Sequence, residues 1–208
     1  MTNIDWNRQT WDDPARWESE WKGGYAWGNV QVVRRDFSRL VAPYMPFGRK
    51  PVILEIACGM GRFTELLLEV AEFVHSIDLA RHCVESCQAR FADKPFKAEL
   101  TDGKTLPKGE FDMVVSYDSL VHADFDVVAA YFTQAREVLV PGGHVCIHHA
   151  NRPDVNSSRM DVRSEQVFNL IMEMPGMRLN SQSLFRLTDG HFIDCFTVAQ
   201  RLPKDTTH

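Results

Sequence analysis

The stretch "PVILEIACGMGRFTELL", residues 51–67, indicates the fold class. Its first half is a continuous apolar run, which is typical of a parallel strand buried on both faces of a sheet. Gly59 and Gly61 follow, and beyond them apolar residues recur at helical spacing. A buried strand, a glycine turn and a helix in succession predict one β-α unit of an open α/β sheet.

The same alternation of strand-like and helix-like patterns continues to the end of the chain. Further strands are predicted within 73–80, 96–107, 111–124 and 144–151. Pro141, Gly142 and Gly143 mark a turn before the last of these, and Asp189-Gly190 lies between two closing strands that read as a hairpin. We predict five β-α units and a terminal strand pair in one domain spanning residues 1–208.

Composition restricts the classes of function. The chain has 208 residues, of which 44% are hydrophobic and 25% charged, as expected for one soluble domain with a core. A formal net charge of −5, with scattered basic residues, argues against a nucleic-acid partner. The acidic N-terminus is not a secretory signal, and no apolar run approaches the ~20 residues of a membrane span. Five cysteines without a CxxC pair fit reduced thiols, so we expect a cytoplasmic protein. Subunit association is not determined by the sequence.

All five tryptophans lie in residues 1–30, which do not follow the β-α rhythm. Trp17 and Trp21 are spaced i, i+4 on a predicted helix. This segment either docks aromatic side chains on the sheet or forms a lid in which Tyr25 or Trp27 closes over a ligand. Aromatic residues serve both purposes, so both interpretations stay open.

Acidic residues follow three successive predicted strands. The first strand carries Glu55, the second ends at Asp78, and Asp102 ends the third beside Gly103. Such a set suits a cationic or hydroxyl-rich ligand better than a phosphate, which it would repel. A dinucleotide fingerprint would place a third glycine where this chain has Thr64, which argues against an NAD-dependent oxidoreductase.

With these motifs the sequence resembles the class I S-adenosylmethionine-dependent methyltransferases over nearly its whole length. The resemblance rests on "LEIACGMG" (54–61), "SIDLA" (76–80), "TDG" (101–103), "FDMVVSYDSL" (111–120) and "LVPGGHV" (139–145). It implies S-adenosylmethionine as cofactor, S-adenosylhomocysteine as product, and a Rossmann-like α/β fold. That fold is a seven-stranded, mostly parallel sheet with an antiparallel terminal strand and helices on both faces. The residues implied in cofactor binding are Glu55, Ala57, Cys58, Gly59, Gly61, Asp78, Leu79, Asp102, Gly103, Tyr117 and Trp27.

The chain departs from the family pattern at Ala57, where a glycine is common. Alanine is small, so we expect cofactor binding to survive. The runs "SYDSLVH" (116–122), "IHHAN" (147–151) and "IDCF" (193–196) further resemble a bacterial subgroup whose expected substrates are sugars or glycans. This resemblance implies O-methylation of a sugar or nucleotide-sugar hydroxyl. Asp194 and Cys195 of the last run are interpreted as structural.

Ligands of open α/β sheets bind beyond the carboxyl ends of the strands, where the fourth and fifth strands end in polar residues. Transfer to a hydroxyl requires removal of its proton, and histidine titrates near neutral pH. We therefore expect His122, His148 or His149 to be the general base, with Asp118 orienting it or the acceptor.

The polar connection 151–166 is longer than a simple turn and is assigned to the acceptor side. The expected substrate-binding residues are Tyr25, Asn151, Arg152, Arg159 and Arg163, the arginines as a clamp for phosphate or carboxylate. A divalent metal held by Asp118, His149 and Asn151 is the alternative use of these side chains. Because that set offers one carboxylate, we expect no metal.

Other functions stay open at this stage. An N-methyltransferase or a small-metabolite O-methyltransferase, metal-assisted or not, is the nearest alternative. A non-catalytic module that binds the cofactor is a further one.

Overall fold

A computed structural model describes residues 1–22, 29–152, 159–186 and 193–203. For residues 19–22, 152, 185, 186 and 193 it describes the backbone and not the side-chain environment. The chain divides into two compact units, residues 1–103 and 104–208.

The first unit begins with helices and continues with β-α alternation. Its elements are α1 (Asn3–Trp11), α2 (Pro14–Lys22), α3 (Val30–Leu40), β1 (Val52–Ile56), α4 (Arg62–Val70), β2 (Phe73–Asp78), α5 (Arg81–Arg90) and β3 (Phe96–Leu100). Strand β2 pairs in parallel with both β1 and β3. Ile53, Leu54 and Ile56 of β1 are fully buried, as the continuous apolar run predicts.

The second unit continues the alternation and ends in antiparallel strands. Its elements are β4 (Phe111–Leu120), α6 (Phe125–Val138), β5 (Leu139–Arg152), α7 (Ser164–Met172), β6 (Met177–Arg186) and β7 (Ile193–Arg201). Strand β5 is parallel to β4, and β7 lies antiparallel between β5 and β6. β5 is paired with a strand at each edge, and its residues 145–150 are all buried, so this part of the strand is covered on both faces.

The seven strands form one sheet in the order β3-β2-β1-β4-β5-β7-β6. The predicted seven-stranded, mostly parallel Rossmann-like sheet with antiparallel pairing at the chain's end is thus confirmed. The predicted number of β-α units is wrong by one. Residues 101–110, all described, run from β3 to β4 without a helix, because Asp102-Gly103 and Pro107 interrupt helical spacing.

Pro141, Gly142 and Gly143 also differ from the expected turn, since they lie inside β5. The pairing of β5 with β4 shifts register between the partners Phe111–Leu139 and Met113–His144. The glycines therefore form a bulge within the strand. None of the helices in the described residues is long and apolar enough to cross a bilayer.

Candidate functional site

In the first unit, the glycine loop between β1 and α4 adopts a left-handed backbone at three positions. Ala57, Gly59 and Gly61 have φ of 62°, 52° and 82°. A Cβ at Gly61 would lie 2.6 Å from the Phe91 ring, so this position admits glycine alone. Ala57 takes the same conformation with a Cβ present, which costs about 1 kcal/mol or more.

Asp78, the last residue of β2, holds this loop. Its carboxylate accepts the backbone N–H of Gly59 at 2.9 Å and that of Ala80 at 2.8 Å. Burial raises the pKa of Asp78 to about 6, although the amide hydrogen bonds act in the opposite direction. The ribose-binding candidate is therefore fixed next to the glycine loop.

Glu55 lies one residue before the end of β1 and is also buried. Its Oε2 accepts the hydroxyls of Ser76 at 2.6 Å and Thr64 at 2.7 Å. Burial raises the pKa of Glu55 to about 7. Thr64, the departure from the dinucleotide fingerprint, thus serves to bind this carboxyl group.

The other cofactor candidates of the first unit differ in exposure. Cys58 and Gly103 are buried, Leu79 is half-buried and Asp102 is exposed. The Asp102 carbonyl accepts a guanidinium N–H of Arg8 at 3.4 Å. Tyr117, in the second unit, is buried, and Trp27 lies outside the described residues.

Residues of α1 and α2 that were not assigned to the site in the sequence lie against it. The Trp17 ring would be 3.1 Å from a Cβ at Gly59, and Ile4 would be 3.1 Å from a Cβ at Gly103. The Trp17 indole N–H donates to the Trp11 carbonyl at 2.8 Å, which fixes its orientation. The clustering of tryptophans was the signal that could have identified them.

In the second unit, His148 is part of a buried hydrogen-bonded arrangement. Its Nδ1 accepts the backbone N–H of Asp118 at 3.1 Å, and its Nε2 lies 3.5 Å from Asp194 Oδ2. A nitrogen that accepts an N–H bond carries no proton, so the ring proton is on Nε2. His148 has no exposed surface.

His149 is buried as well and bonded at both ring nitrogens. Its Nδ1 donates to the Ala150 carbonyl at 2.7 Å, and the Thr197 hydroxyl donates to its Nε2 at 2.8 Å. Burial lowers the pKa of His149 to about 4. The expected access of His148 and His149 to an acceptor differs from the structure, because β5 is an internal strand with both faces covered.

Asp118 and His122 lie where β4 ends, and both are half-buried. Asp118 has a left-handed backbone with φ of 56°, a conformation that aspartate adopts more readily than most residues. The backbone N–H of His122 donates to the Ser119 carbonyl at 3.2 Å, which closes a turn. Of the three histidine candidates, His122 is the one with a partly exposed side chain.

The arginine and asparagine candidates also divide into residues that bond within the protein and one that is exposed. Arg159 binds the buried Asp194 with Nε at 2.8 Å and Nη2 at 2.9 Å, so it does not serve as an open anion clamp. Asn151 Oδ1 accepts the N–H of Ser164 at 2.6 Å and thereby caps α7. Arg163 is exposed, 3.3 Å from Asp161.

Tyr25 and the side chain of Arg152 lie outside the described residues. Asp194, which the sequence interpretation treats as structural, is fully buried and lies against His148 and Arg159. Its pKa is raised by burial and lowered by His148 and Arg159, and the lowering prevails. The "IDCF" run was the signal available for it.

His149 belongs to the alternative metal set. Within the part of the chain that the structure describes, no group of three or more His, Cys, Asp or Glu side chains is placed to hold a metal ion. Both ring nitrogens of His149 already bond within the protein.

Comparison with protein families matches residues 53–143 to a model described as a methyltransferase domain. This match covers the glycine loop, Asp78, Asp102 and the end of β4. Comparison with curated proteins finds no match.

Among solved structures, the magnesium protoporphyrin IX methyltransferase of Synechocystis PCC 6803 with bound S-adenosylmethionine is 14% identical, with a TM-score of 0.74 over 97% of this chain and 98% of that one. The N-methyltransferase NodS of Bradyrhizobium japonicum WM9, in complex with S-adenosylhomocysteine, is 16% identical, with a TM-score of 0.71 over 98% and 100%. The 1,6-didemethyltoxoflavin-N1-methyltransferase of Burkholderia thailandensis is 17% identical, with a TM-score of 0.66 over 89% and 85%. At these identities the likeness shows the fold.

Proposed function

We propose that the chain is an S-adenosylmethionine-dependent methyltransferase, which its domain match over residues 53–143 and its fold support, and that it methylates a hydroxyl group of a sugar or nucleotide sugar. The observation that carries the hydroxyl assignment is that Asp118, near the end of β4, and His122, in the turn that follows, are both half-buried. An alcohol must lose a proton during methyl transfer, whereas a neutral amine can attack without a base.

The first unit fits the cofactor at two points. Asp78 and the left-handed glycine loop form a backbone-lined cradle, and each Asp78 oxygen that accepts an amide retains a lone pair for a ribose hydroxyl. The buried carboxyl groups of Glu55 and Asp78 favour a cationic ligand. When bound, S-adenosylmethionine supplies a methyl group on a cationic sulfur, which is a good leaving group.

We assign the base to His122 and its orientation to Asp118. Both side chains are partly exposed; Asp118 lies near the end of β4 and His122 lies in the turn that follows it. His148 and His149 are disfavoured as bases because each is buried with its ring nitrogens directed at protein groups. An acceptor bound at this turn would place its hydroxyl proton within reach of the imidazole.

Two features support a sugar over other alcohols. The runs 116–122, 147–151 and 193–196 resemble the sugar-acting subgroup, and they contribute Asp118, His148 and Asp194 to one cluster. Arg163 and its ion-pair partner Asp161, 3.3 Å away, are both exposed, so solvent screens this pair and the guanidinium can also bind the phosphate of a nucleotide sugar. Residues 1–30 are proposed to form the lid of the cofactor site in a single domain of residues 1–208.

The test is incubation of the full chain with isotopically labelled S-adenosylmethionine and three acceptor sets, read by product mass. The sets are nucleotide sugars with free sugars, primary and secondary amines, and phenols with carboxylic acids. Methylation of a nucleotide sugar or sugar is expected. Transfer confined to amines would contradict the hydroxyl assignment, and transfer confined to phenols or acids would contradict the sugar.

The base is tested with His122→Gln, which keeps hydrogen bonding but does not titrate near neutrality. We expect turnover to fall by about 100-fold or more, the usual contribution of a general base, with cofactor binding unchanged. His82 on α5 offers a matched control, since His82→Gln alters an imidazole that is also half-buried but lies in the other unit. Equal activity of the two variants would overturn the assignment.

A further inference from the structure

Three buried or nearly buried side chains connect the segment 151–166, which is assigned to the acceptor side, to the backbone of Asp118. The Arg159 guanidinium holds both oxygens of Asp194, at 2.8 and 2.9 Å. Asp194 Oδ2 lies 3.5 Å from His148 Nε2. His148 Nδ1 accepts the Asp118 N–H at 3.1 Å. The series therefore runs from a guanidinium through a carboxylate and an imidazole to one peptide group.

This series is confined by packing, by hydrogen bonds at its two ends and by the 3.5 Å contact between His148 Nε2 and Asp194 Oδ2 in its middle. The side chains of Asp194 and His148 are 0% exposed and that of Arg159 is 10% exposed. The His148 ring lies between aromatic neighbours, with centroids 5.5 Å from Tyr117 and 6.3 Å from Phe196. Side chains confined in this way have a single orientation.

The peptide group at the end of the series belongs to Asp118, whose backbone conformation is unusual. Asp118 has φ of 56°, and a residue other than glycine persists there when its surroundings hold it. The same segment is tied to the turn a second time, because the Met160 N–H donates to the Val121 carbonyl at 3.1 Å. Arg159 thus bonds to Asp194, and Met160 bonds to Val121, which lies within residues 118–122.

We propose that Arg159, Asp194 and His148 form a positioning relay that holds Asp118 in its left-handed conformation and so presents the 118–122 turn to the acceptor. This inference rests on the proposed function, since it assigns the acceptor to that turn. His148 acts here as a positioning residue through its Nδ1 lone pair. It neither takes nor gives a proton during the reaction.

A purely stabilising role does not account for this arrangement. Removing an ion pair from water costs much of what the pair returns, and apolar side chains of similar volume often stabilise a core equally well. What apolar side chains cannot supply is an acceptor for the Asp118 N–H at a fixed place. The relay supplies that acceptor and fixes its ring by a charged partner.

The decisive pair of variants is His148→Asn and His148→Leu. Asparagine places an oxygen near the position of Nδ1 and retains an acceptor for the Asp118 N–H, whereas leucine fills the volume without one. We expect amide exchange at Asp118 to accelerate about tenfold or more in His148→Leu, and to stay near the wild-type rate in His148→Asn. Equal exchange in both variants would overturn the proposal.

Turnover separates positioning from proton transfer. With the acceptor that the panel identifies, kcat should fall about 100-fold in His148→Leu while the acceptor KM changes less, and His148→Asn should recover most of it. A general base would be lost equally in both variants. Equal loss of kcat in the two variants would therefore refute the relay.

Two further measurements keep the inference independent of the acceptor and of variant folding. Nitrogen-15 shifts of His148 in the wild-type chain should show Nε2 protonated and Nδ1 bare; a proton on Nδ1 would refute the relay. Thr197→Val removes the buried bond to His149 and is the matched control. It should leave Asp118 exchange and turnover unchanged.

If no panel member is methylated, the proposed function fails, while the nitrogen-15 shifts and the amide exchange rates still decide whether the relay exists.

Discussion

The two units bury carboxyl groups in opposite electrostatic settings. In residues 1–103, Glu55 and Asp78 accept hydrogen bonds from hydroxyls and backbone amides, which are neutral, and burial raises their pKa values to about 7 and about 6. In residues 104–208, Asp194 lies against Arg159, and the pKa of Asp194 is lowered despite its burial. The carboxyl groups of Glu55 and Asp78 are hydrogen-bonded to neutral groups, so a cationic ligand could balance their negative charge. The negative charge of Asp194 is balanced by the Arg159 guanidinium.

This difference indicates what each unit is suited to bind. A buried carboxylate without a cationic neighbour gains most from a positively charged ligand, as a sulfonium is. A neutralised cluster has less to gain from charge and suits a neutral hydroxyl compound. This contrast motivates the proposal of a cationic methyl donor and a neutral hydroxyl acceptor.

The largest effect on ligand affinity is expected from substituting the buried Asp78 of the first unit. Asp78→Ala removes the acceptor of the Gly59 N–H and the proposed ribose contact together. Because a hydrogen bond to a charged group contributes about 1.5 to 3 kcal/mol, affinity for S-adenosylhomocysteine should fall about 100-fold. Isothermal titration calorimetry measures this loss.

The matched control for Asp78→Ala is Glu69→Ala. Glu69 is an acid of the same unit whose carboxylate pairs with Arg34 on the exposed surface, at 2.7 Å. We expect its removal to leave the affinity unchanged. A similar loss in both variants would mean that general charge, and not the cradle, binds the cofactor.

The second effect compares the pH dependence of stability in the two units. Glu55 has a folded pKa of about 7 against an ordinary value of 4.5, so the folded state holds the extra proton between these values. Wild type should therefore lose stability relative to Glu55→Gln as pH rises from 4.5 to 7. His149 has a folded pKa of about 4 against 6.5, so the unfolded state holds the extra proton between them. Wild type should gain stability relative to His149→Gln as pH rises from 4 to 6.5.

Each of these opposite changes in stability should amount to about 2 kcal/mol across its window. The upper limit is about 3 kcal/mol, since a difference of one pKa unit corresponds to about 1.36 kcal/mol and each window spans about 2.5 pH units. Urea unfolding of the two variants and wild type, at half-unit pH steps, measures both. Slopes of the same sign would show that the two units do not differ in the way their buried groups are charged.

The same contrast explains how much the sequence could predict. Gly59, Gly61 and the strand before them are adjacent in the chain, so a local pattern specifies the turn and Asp78 follows at the end of the next strand. The sheet, and the position of Asp78 beside the glycine loop, were therefore predictable. Thr64 appeared as a departure from a motif, and its bond to Glu55 needed the structure.

The second unit depends on pairing between distant residues. Arg159 and Asp194 are 35 residues apart and meet because β7 inserts beside β5. Alternation in a strand predicts that His148 and His149 point to opposite faces, but it does not reveal that both faces are covered. Accessible polar residues and buried ones look alike in a sequence, which is why the two histidines were assigned to an open site.

A third, smaller effect concerns the proposed N-terminal lid. Trp17 packs at Gly59, so Trp17→Ala should weaken S-adenosylhomocysteine binding about fivefold through lost apolar contact, and Trp17→Phe should weaken it less. Calorimetry measures both variants, and Trp6→Ala, which changes a more exposed indole of α1, is the control. Tighter binding in Trp17→Ala would show that the indole competes with the cofactor.

The smallest effect is expected at Ala57, where two opposing terms nearly cancel. Glycine would relieve the left-handed strain of about 1 kcal/mol, yet it would add conformational freedom to the unfolded chain that costs roughly 0.5 to 1 kcal/mol. Ala57→Gly should therefore change the free energy of unfolding by less than about 1 kcal/mol and leave cofactor affinity unaltered. Urea unfolding and calorimetry on the same sample check both. A large loss of affinity would mean that the Ala57 methyl group itself contacts the ligand, and that the cradle depends on side chains as well as on its backbone.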